Sequence, residues 1–479
     1  MDGILKKKAF LLPLILLLLS ALMLSGCGNS SKTEGNRNDS ENKSEDTNEN
    51  ENKSENENTN NNENKTELVE IVWTMASDPV KEKWQKEVVA SFEQKNPDIQ
   101  VKIENYPYEA FDQKLITMIS SGNPPDVWNP NQAESGFATY MQMGALKDLT
   151  PFIGEEASEL ETMNKDLLNI YNVNGKYYGV PLVSNATYLY FNKDLFDAAG
   201  IPYPTTDWDD TSWDFDKMLE VAQQLTHDVG DRKNQVFGFS NSLSPTAMAW
   251  AFGGDFFKPE AYTTGKMGEP DLFKQENIDA LQYNVDLINK YKVSPNQSTL
   301  DAISQLGDPF MTGKVAMTIT GGWGLGSFRE AEFNWGIAAV PYHEGRKVPL
   351  YVDPWSISEA SKHPEAAWKF VKHLADPENG VGPAYKYMSE VGRTPADSTL
   401  FEIWYEEQAE LIGMDVDEFR QVHEGSMKHG REAENHLIVK FNAIIEAVNQ
   451  TMSSVFSGKD SVEDGLKKTE GHLRSLDLD

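Results

Sequence analysis

One cysteine in 479 residues cannot close an internal disulfide, and eight scattered histidines leave no thiolate or HExxH-type metal motif. A structural zinc site finds no ligands here. Basic residues are the second scarcity: 43 Lys and Arg stand against 75 Asp and Glu, a net charge of −32. Such a surface repels polyphosphates and offers nucleic acid no electrostatic footprint. The chain also lacks a GxSxG elbow and a P-loop, and Gly322, Gly324 and Gly326 miss the third glycine that GxGxxG requires. No resident cofactor and no catalytic motif are therefore expected. Length points the other way, since the chain is about three times a typical domain and can fill two or more cores.

Lys6, Lys7 and Lys8 precede an apolar run from Ala9 to Leu24 that is short for a membrane span, so residues 1–26 read as an export signal. The run ends in Leu24-Ser25-Gly26-Cys27, which resembles the lipobox of bacterial lipoproteins. That resemblance implies cleavage before Cys27 and a diacylglycerol on its thiol, and it accounts for the only cysteine. An ordinary signal peptide beside a chance cysteine is the alternative. Residues 27–67 continue as a tether of Asn, Glu, Lys, Ser and Thr, with too little apolar surface to offset chain entropy. The body from residue 68 still carries −28, so the acidity belongs to the fold.

The body opens with strand, helix, strand, helix, strand. Val69 to Met75 is β-rich, Pro79 starts a helix with Val80, Trp84, Val88 and Phe92 on one face, and Ile99, Val101 and Ile103 alternate. A second helical stripe and Gly122-Asn123-Pro124-Pro125 lead into a short strand at Asp126-Val127-Trp128. This order predicts an α/β fold with a parallel sheet, whose ligands sit outside the carboxyl ends of the strands. Trp73 to Asp78 (with Ser77), Glu104 to Tyr106 and Trp128 to Asn131 fall at those ends. Beyond residue 180 the spacing predicts a second α/β lobe: strands at 187–191, 236–240 and 314–320, and helices at 212–226, 275–292 and 299–312.

The lipobox, the tether, Ile71-Val72-Trp73, the Ser121 to Val127 segment, and Gly313-Lys314-Val315-Ala316-Met317 followed by Gly321-Gly322-Trp323 together resemble the extracellular solute-binding proteins of ABC importers. Within these the chain is similar to the sugar-binding, maltose-binding-protein-like family; Ala339-Val340-Pro341 and Gly392-Arg393-Thr394-Pro395-Ala396 match as well. The resemblance implies a type II periplasmic-binding-protein-like fold, with two discontinuous lobes joined by a hinge around a central ligand cleft. Transferred to this chain, lobe one is 68–180 with 308–352, and lobe two is 181–307 with 353–479. It also implies a monomer that captures a sugar, an oligosaccharide, and delivers it to ABC permease subunits, without doing chemistry. The place is the outer face of the cell membrane, through a lipid anchor.

A sugar cleft needs flat aromatics for pyranose CH faces, and carboxylates, amides and arginine for hydroxyls. Trp323, among glycines at a strand end, matches the family's stacking ring. Trp250 and Trp355 are either ligand platforms or core. Arg393 suits vicinal hydroxyls or a uronate, or else a surface or inter-lobe salt bridge. Asp126 either closes a turn or contacts sugar. Asn131, Asp255 and Asp353 are loop acceptors, while Tyr188 and Tyr190 share one strand face, expected to point toward the hinge and cleft. Trp84, by its helical spacing, belongs to the core. Two other readings stay open: a lipid-anchored extracellular enzyme acting on glycosides, since carboxylate pairs can be drawn anywhere among 75 acids, and a binder of a cationic solute such as a polyamine, given the acidic body.

Overall fold

The structure, a computed structural model, describes residues 68–77, 79–132, 135–155, 160–376 and 383–476. The export signal, Cys27 and the tether lie outside the described residues, as do Asp78 and the Val80 side chain.

The strands in chain order are β1 (Val69–Ala76), β2 (Ile99–Tyr106), β3 (Val127–Trp128), a hairpin of β4 (Asn172–Val173) and β5 (Lys176–Tyr177), β6 (Val180–Asn185), β7 (Thr187–Asn192), β8 (Ser240–Asn241), β9 (Met317–Gly321), β10 (Trp335–Ala338), β11 (Val348–Ile357), β12 (Thr394–Pro395) and β13 (Gly430–Glu432). One sheet has the order β12-β6-β11-β3-β1-β2, with β13 added beside β11, and a second has the order β10-β7-β9-β8. β1 pairs in parallel with both β2 and β3, as the opening alternation predicts. The sheet is mixed nonetheless, because β11 runs antiparallel to β3 and β6.

Local rules account for most elements. In β2, Ile99 and Val101 are buried while Gln100 and Lys102 face water, the pattern of a strand with one covered face. Asp214 accepts the backbone N–H of Lys217 at 2.8 Å and so caps the helix Phe215–Leu225, which buries Phe215, Met218, Val221, Ala222 and Leu225. Strands β6 and β7 are buried at every residue, so neither shows alternation. The segment 236–240 contributes only isolated bridges before β8, and the helix expected at 299–312 is Gln297–Ser304.

The expected division of the lobes is not the one the strands follow. β9 and β10, inside 308–352, pair with β7 rather than with β1, while β6 lies in the first sheet. The helix Pro364–Ala375, expected in lobe two, packs on β1, β6 and β11. Backbone pairing overrides sequence proximity: the chain crosses between sheets at Ala186 and again between β10 and β11.

Trp84 is buried as its spacing predicts, and its indole N–H donates to Glu390 at 2.9 Å. Glycines let the turn at Gly392 approach the turn at Gly326 closely. A Cβ on Gly392, which has φ +74°, would stand 2.6 Å from the backbone nitrogen of Gly326. Gly392→Ala is therefore expected to cost at least about 2 kcal/mol, from left-handed strain plus a backbone clash. Urea melts of the variant check this; a loss below about 0.5 kcal/mol would mean that the two turns can separate freely.

Candidate functional site

The site is built where the chain passes from one sheet to the other. The backbone N–H of Thr187 donates to Ser426 Oγ at 3.0 Å, and that hydroxyl donates to the Thr187 carbonyl at 2.7 Å. Thr187 Oγ1 donates to the Pro349 carbonyl at 2.6 Å, so the two crossing strands are tied to each other and to the helix Val416–His429. Beside this crossing, β8 and β9 run parallel and open their carboxyl ends on one edge of the second sheet.

Trp323 follows β9 at that edge. Its ring folds back over Gly321, where a Cβ would lie 2.3 Å from the indole, so only glycine leaves room for it. The ring meets Tyr351 edge-on at 5.0 Å, and Tyr351 in turn meets His436 at 5.9 Å. Trp323 remains 39% exposed, whereas the other ten tryptophans are 9% exposed or less. It lines a cavity of about 230 Å³, together with Ser240, Asn241, Ser242, Thr318 and Thr320. Ser242 and Thr318 hydroxyls bond each other at 3.0 Å, which presents a neutral polar wall.

Behind Tyr351 lies a sealed acidic layer. Glu432 bonds the His436 ring and accepts the Val352 N–H, and burial raises its carboxyl above the usual range. Glu434 is 4% exposed, and one of its oxygens has no partner among the described residues. Burial pushes it up to about 7, and the Asp255 carboxylate adds to this against the pull of Thr246 and Arg431. Arg431 pairs with Asp255 at 2.6 Å and lies over the rings of Tyr262 and Trp250. No group of three side chains placed to hold a metal occurs among the described residues.

The residues expected from sequence fall into three sets. Trp73, Trp355, Asp353 and Arg393 do converge, with Trp84, but on a cavity of only about 30 Å³ beneath the helix Pro79–Lys95. That is room for about one water. Trp73 and Trp355 pack edge-on at 5.5 Å, and Arg393 reaches Asp353 at 2.5 Å, a part-buried salt bridge that lies within the first sheet, across β6, and not between the lobes. Ser77 follows β1 half-buried, its N–H donating to the Tyr106 carbonyl at 2.7 Å.

Five of the candidate ligand residues are committed inside the fold, and for Trp250 and Asp126 this is the core and turn-closing role that was their other expectation. Trp250 is fully buried with Arg431 across one face, which leaves it in the core. Asp126 closes its turn: one oxygen accepts the Val72 N–H at 2.8 Å, the other the Ser361 hydroxyl at 2.5 Å. The Asn131 amide donates to Tyr171 Oη and the Val352 carbonyl and accepts the Phe137 N–H, all inside the fold. Asp255 is filled by Phe257, Tyr262 and Arg431. Tyr188 is buried, with its hydroxyl 2.6 Å from Nδ1 of His423, whose burial lowers it to about 3 and keeps it neutral. Tyr351, His436, Arg431 and Glu434 were missed. The charged run 430–436 reads as a solvated helix face, and only packing turns it inward.

Two α/β halves joined by crossing strands, with a neutral wall and one open indole beside the crossing, define a two-lobe binding protein of the periplasmic type. The family model for bacterial extracellular solute-binding proteins matches residues 77–381, and the chain belongs to that family. It is 24% identical to the maltodextrin-binding protein MdxE of Bacillus subtilis over 359 residues, 73% of this chain and 78% of that one. Among solved structures, the substrate-binding ABC protein Lmo0181 of Listeria monocytogenes, in complex with cycloalternan, superposes with TM-score 0.68 and 25% identity, covering 85% of this chain and 98% of that one. Maltose-bound MalE3 of T. maritima shares the fold at TM-score 0.64 and 21% identity, over 85% and 99% of the two chains.

Glu434 makes the acidic layer testable. Its folded pKa is raised, so its contribution to stability is full below the unfolded value near 4.5 and is lost as pH rises through about 7. Glu434→Gln is expected to be more stable than the natural chain by about 2–3 kcal/mol at pH 8 and by almost nothing at pH 4.5. Urea melts across that range check it; a difference that does not change with pH would show that the buried charge is not the cost.

Proposed function

We propose that this protein captures a neutral sugar, an oligosaccharide, between its two lobes and delivers it to the membrane subunits of an ABC importer. The observation that carries this is the split among the tryptophans: ten are packed away, and Trp323 alone stays open, at the carboxyl edge of a sheet and beside hydroxyls and amides. An indole face covers the CH face of a pyranose, while neutral hydrogen-bonding groups pair its hydroxyls. The names of relatives, which bind maltodextrin and cycloalternan, support a sugar.

The lobes act as rigid bodies on the strand crossing, and a ligand touched by both favours the closed population. Capture needs no bond to break. Glu432 and Glu434 are buried and turned away from solvent, which supports binding over glycoside hydrolysis. The wall around Trp323 has one carboxylate, Asp308, whose Oδ1 already accepts the Phe310 N–H, so a polyamine finds little to pair with there. At the chain's start, a lipid on Cys27 holds the protein to the outer face of the membrane, and the tether lets the body reach the permease.

Trp323→Ala is expected to lower sugar affinity at least tenfold, about 1.4 kcal/mol, with a smaller stability loss than the 3–5 kcal/mol typical of a buried tryptophan. Calorimetric titration and urea melts on the same sample decide it; a destabilised variant with unchanged affinity would return that ring to the core. Cys27→Ser should move the protein from the membrane fraction to the medium, since stable anchoring needs the acyl chains. Retention in the membrane after that change would favour an uncleaved signal anchor.

A further inference from the structure

Trp323 stands among glycines, and Gly321, Gly322 and Gly324 have no side chain with which to hold an indole. Among the described residues a single ring meets it: Tyr351, edge-on at 5.0 Å and 63°. An exposed side chain that is free to turn must be ordered at the moment of capture, and that ordering subtracts from affinity. A ring held beforehand avoids the loss.

Tyr351 is itself held. It is half-buried on β11 between the buried Leu350 and Val352, and its ring also meets that of His436, at 5.9 Å and 75°. His436 is 2% exposed and bonds the Glu432 carboxylate, which also accepts the Val352 N–H at 3.2 Å. One carboxylate therefore fixes both the strand beside Tyr351 and the ring packed on it.

Lobe one reaches this group at two points. The Tyr171 hydroxyl lies 3.4 Å from Glu432 and donates to the Val352 carbonyl at 2.6 Å, and it accepts the Asn131 amide at 2.9 Å. Gly136, at φ +66°, opens the helix Gly136–Gln142 against the backbone carbonyl of Asn435, where any Cβ would overlap it.

Burying a carboxylate and an imidazole costs desolvation, and apolar side chains of similar size would fill the space without that cost. What they could not supply is direction, because hydrogen bonds set the plane of an imidazole and so the seat of the tyrosine packed on it. We propose that Tyr351 and His436 are positioning residues for capture: Glu432 orients His436, the two hold Tyr351, and Tyr351 keeps the Trp323 ring in one orientation that Tyr171 ties to lobe one. The consequence for affinity rests on the sugar-capture reading, whereas the stillness of the ring does not.

The test uses the full chain labelled with 5-fluorotryptophan, in which the Trp323 signal is the one lost in Trp323→Phe. His436→Gln keeps a hydrogen-bond donor for Glu432 but removes the ring behind Tyr351. Without any ligand, fluorine relaxation is expected to show faster motion of the Trp323 ring in His436→Gln and in Tyr351→Ala than in the natural chain. Tyr351→Phe, which restores the ring, should restore the stillness, and Tyr171→Phe, which removes only the link to lobe one, should loosen Trp323 less than His436→Gln does. In calorimetric titration with maltose and maltohexaose, Tyr351→Ala is expected to lower affinity at least about fivefold and Tyr351→Phe to rescue it to within about twofold. Added to Trp323→Ala, Tyr351→Ala should cost less than about twofold more, since no ring is left to hold. A thermal melt confirms that each variant is folded.

Equal motion of the Trp323 ring in the natural chain, His436→Gln and Tyr351→Ala would overturn the relay. A full fivefold loss from Tyr351→Ala in the Trp323→Ala background would mean that Tyr351 touches the sugar itself, which overturns positioning as its role. If Tyr171→Phe leaves the ring as still as before, the tie to lobe one falls. Silence from both sugars counts against the capture reading alone, because the fluorine measurement decides the relay without them.

Discussion

Where β6 becomes β7, the chain leaves one sheet for the other across Ala186, with β11 passing alongside, and Thr187, Pro349 and Ser426 tie the crossing together. Every group in the candidate site is placed relative to that knot. Tyr351 lies on β11 just past it, and Trp323 follows β9, the direct partner of β7. The turn carrying Arg393 reaches the turn carrying Trp323 because glycines on both sides let backbone meet backbone. Few covalent links and a tight pivot are what two rigid lobes need in order to move as units.

Aromatic residues do two jobs in this molecule, and packing separates them. Trp73, Trp84 and Trp355 enclose almost no free volume, with the Arg393–Asp353 pair as their polar side. Such a pair is costly to break once buried, because either partner alone would be an uncompensated charge. Trp323 has no such enclosure. Its neighbours are glycines on one side and the edge of Tyr351 on the other, which hold the ring in place while leaving it open to solvent.

Charge is arranged with the same economy. The acids of the wall behind Tyr351 are turned inward or paired with His436 and Arg431, and the bulk of the negative charge faces water. What borders Trp323 is uncharged apart from Asp308. A strongly acidic protein thus presents a neutral surface beside its open indole, so that a ligand's hydroxyls compete with water rather than with ions.

Local pattern was enough for much of this. The parallel start of the first sheet, the buried face of the helix that carries Trp84, and the exposed place of Trp323 after its strand all follow from periodicity, prolines and glycines over a few residues. The order of motifs was enough for the family and the two-lobe architecture. Sequence could not decide which strands share a sheet, because β6 and β7 are buried on both faces and carry no alternation, and because their partners lie more than a hundred residues away. Nor could it separate a ligand-facing Asp or Asn from one spent inside. Asp126, Asn131 and Asp255 are chemically suited to a sugar, but their oxygens and amides meet Val72, Ser361, Tyr171, Val352, Tyr262 and Arg431 first. A side chain's chemistry is written in the sequence, whereas its partner is set by the folded chain, and the partner decides whether any hydrogen-bonding capacity is left for a ligand.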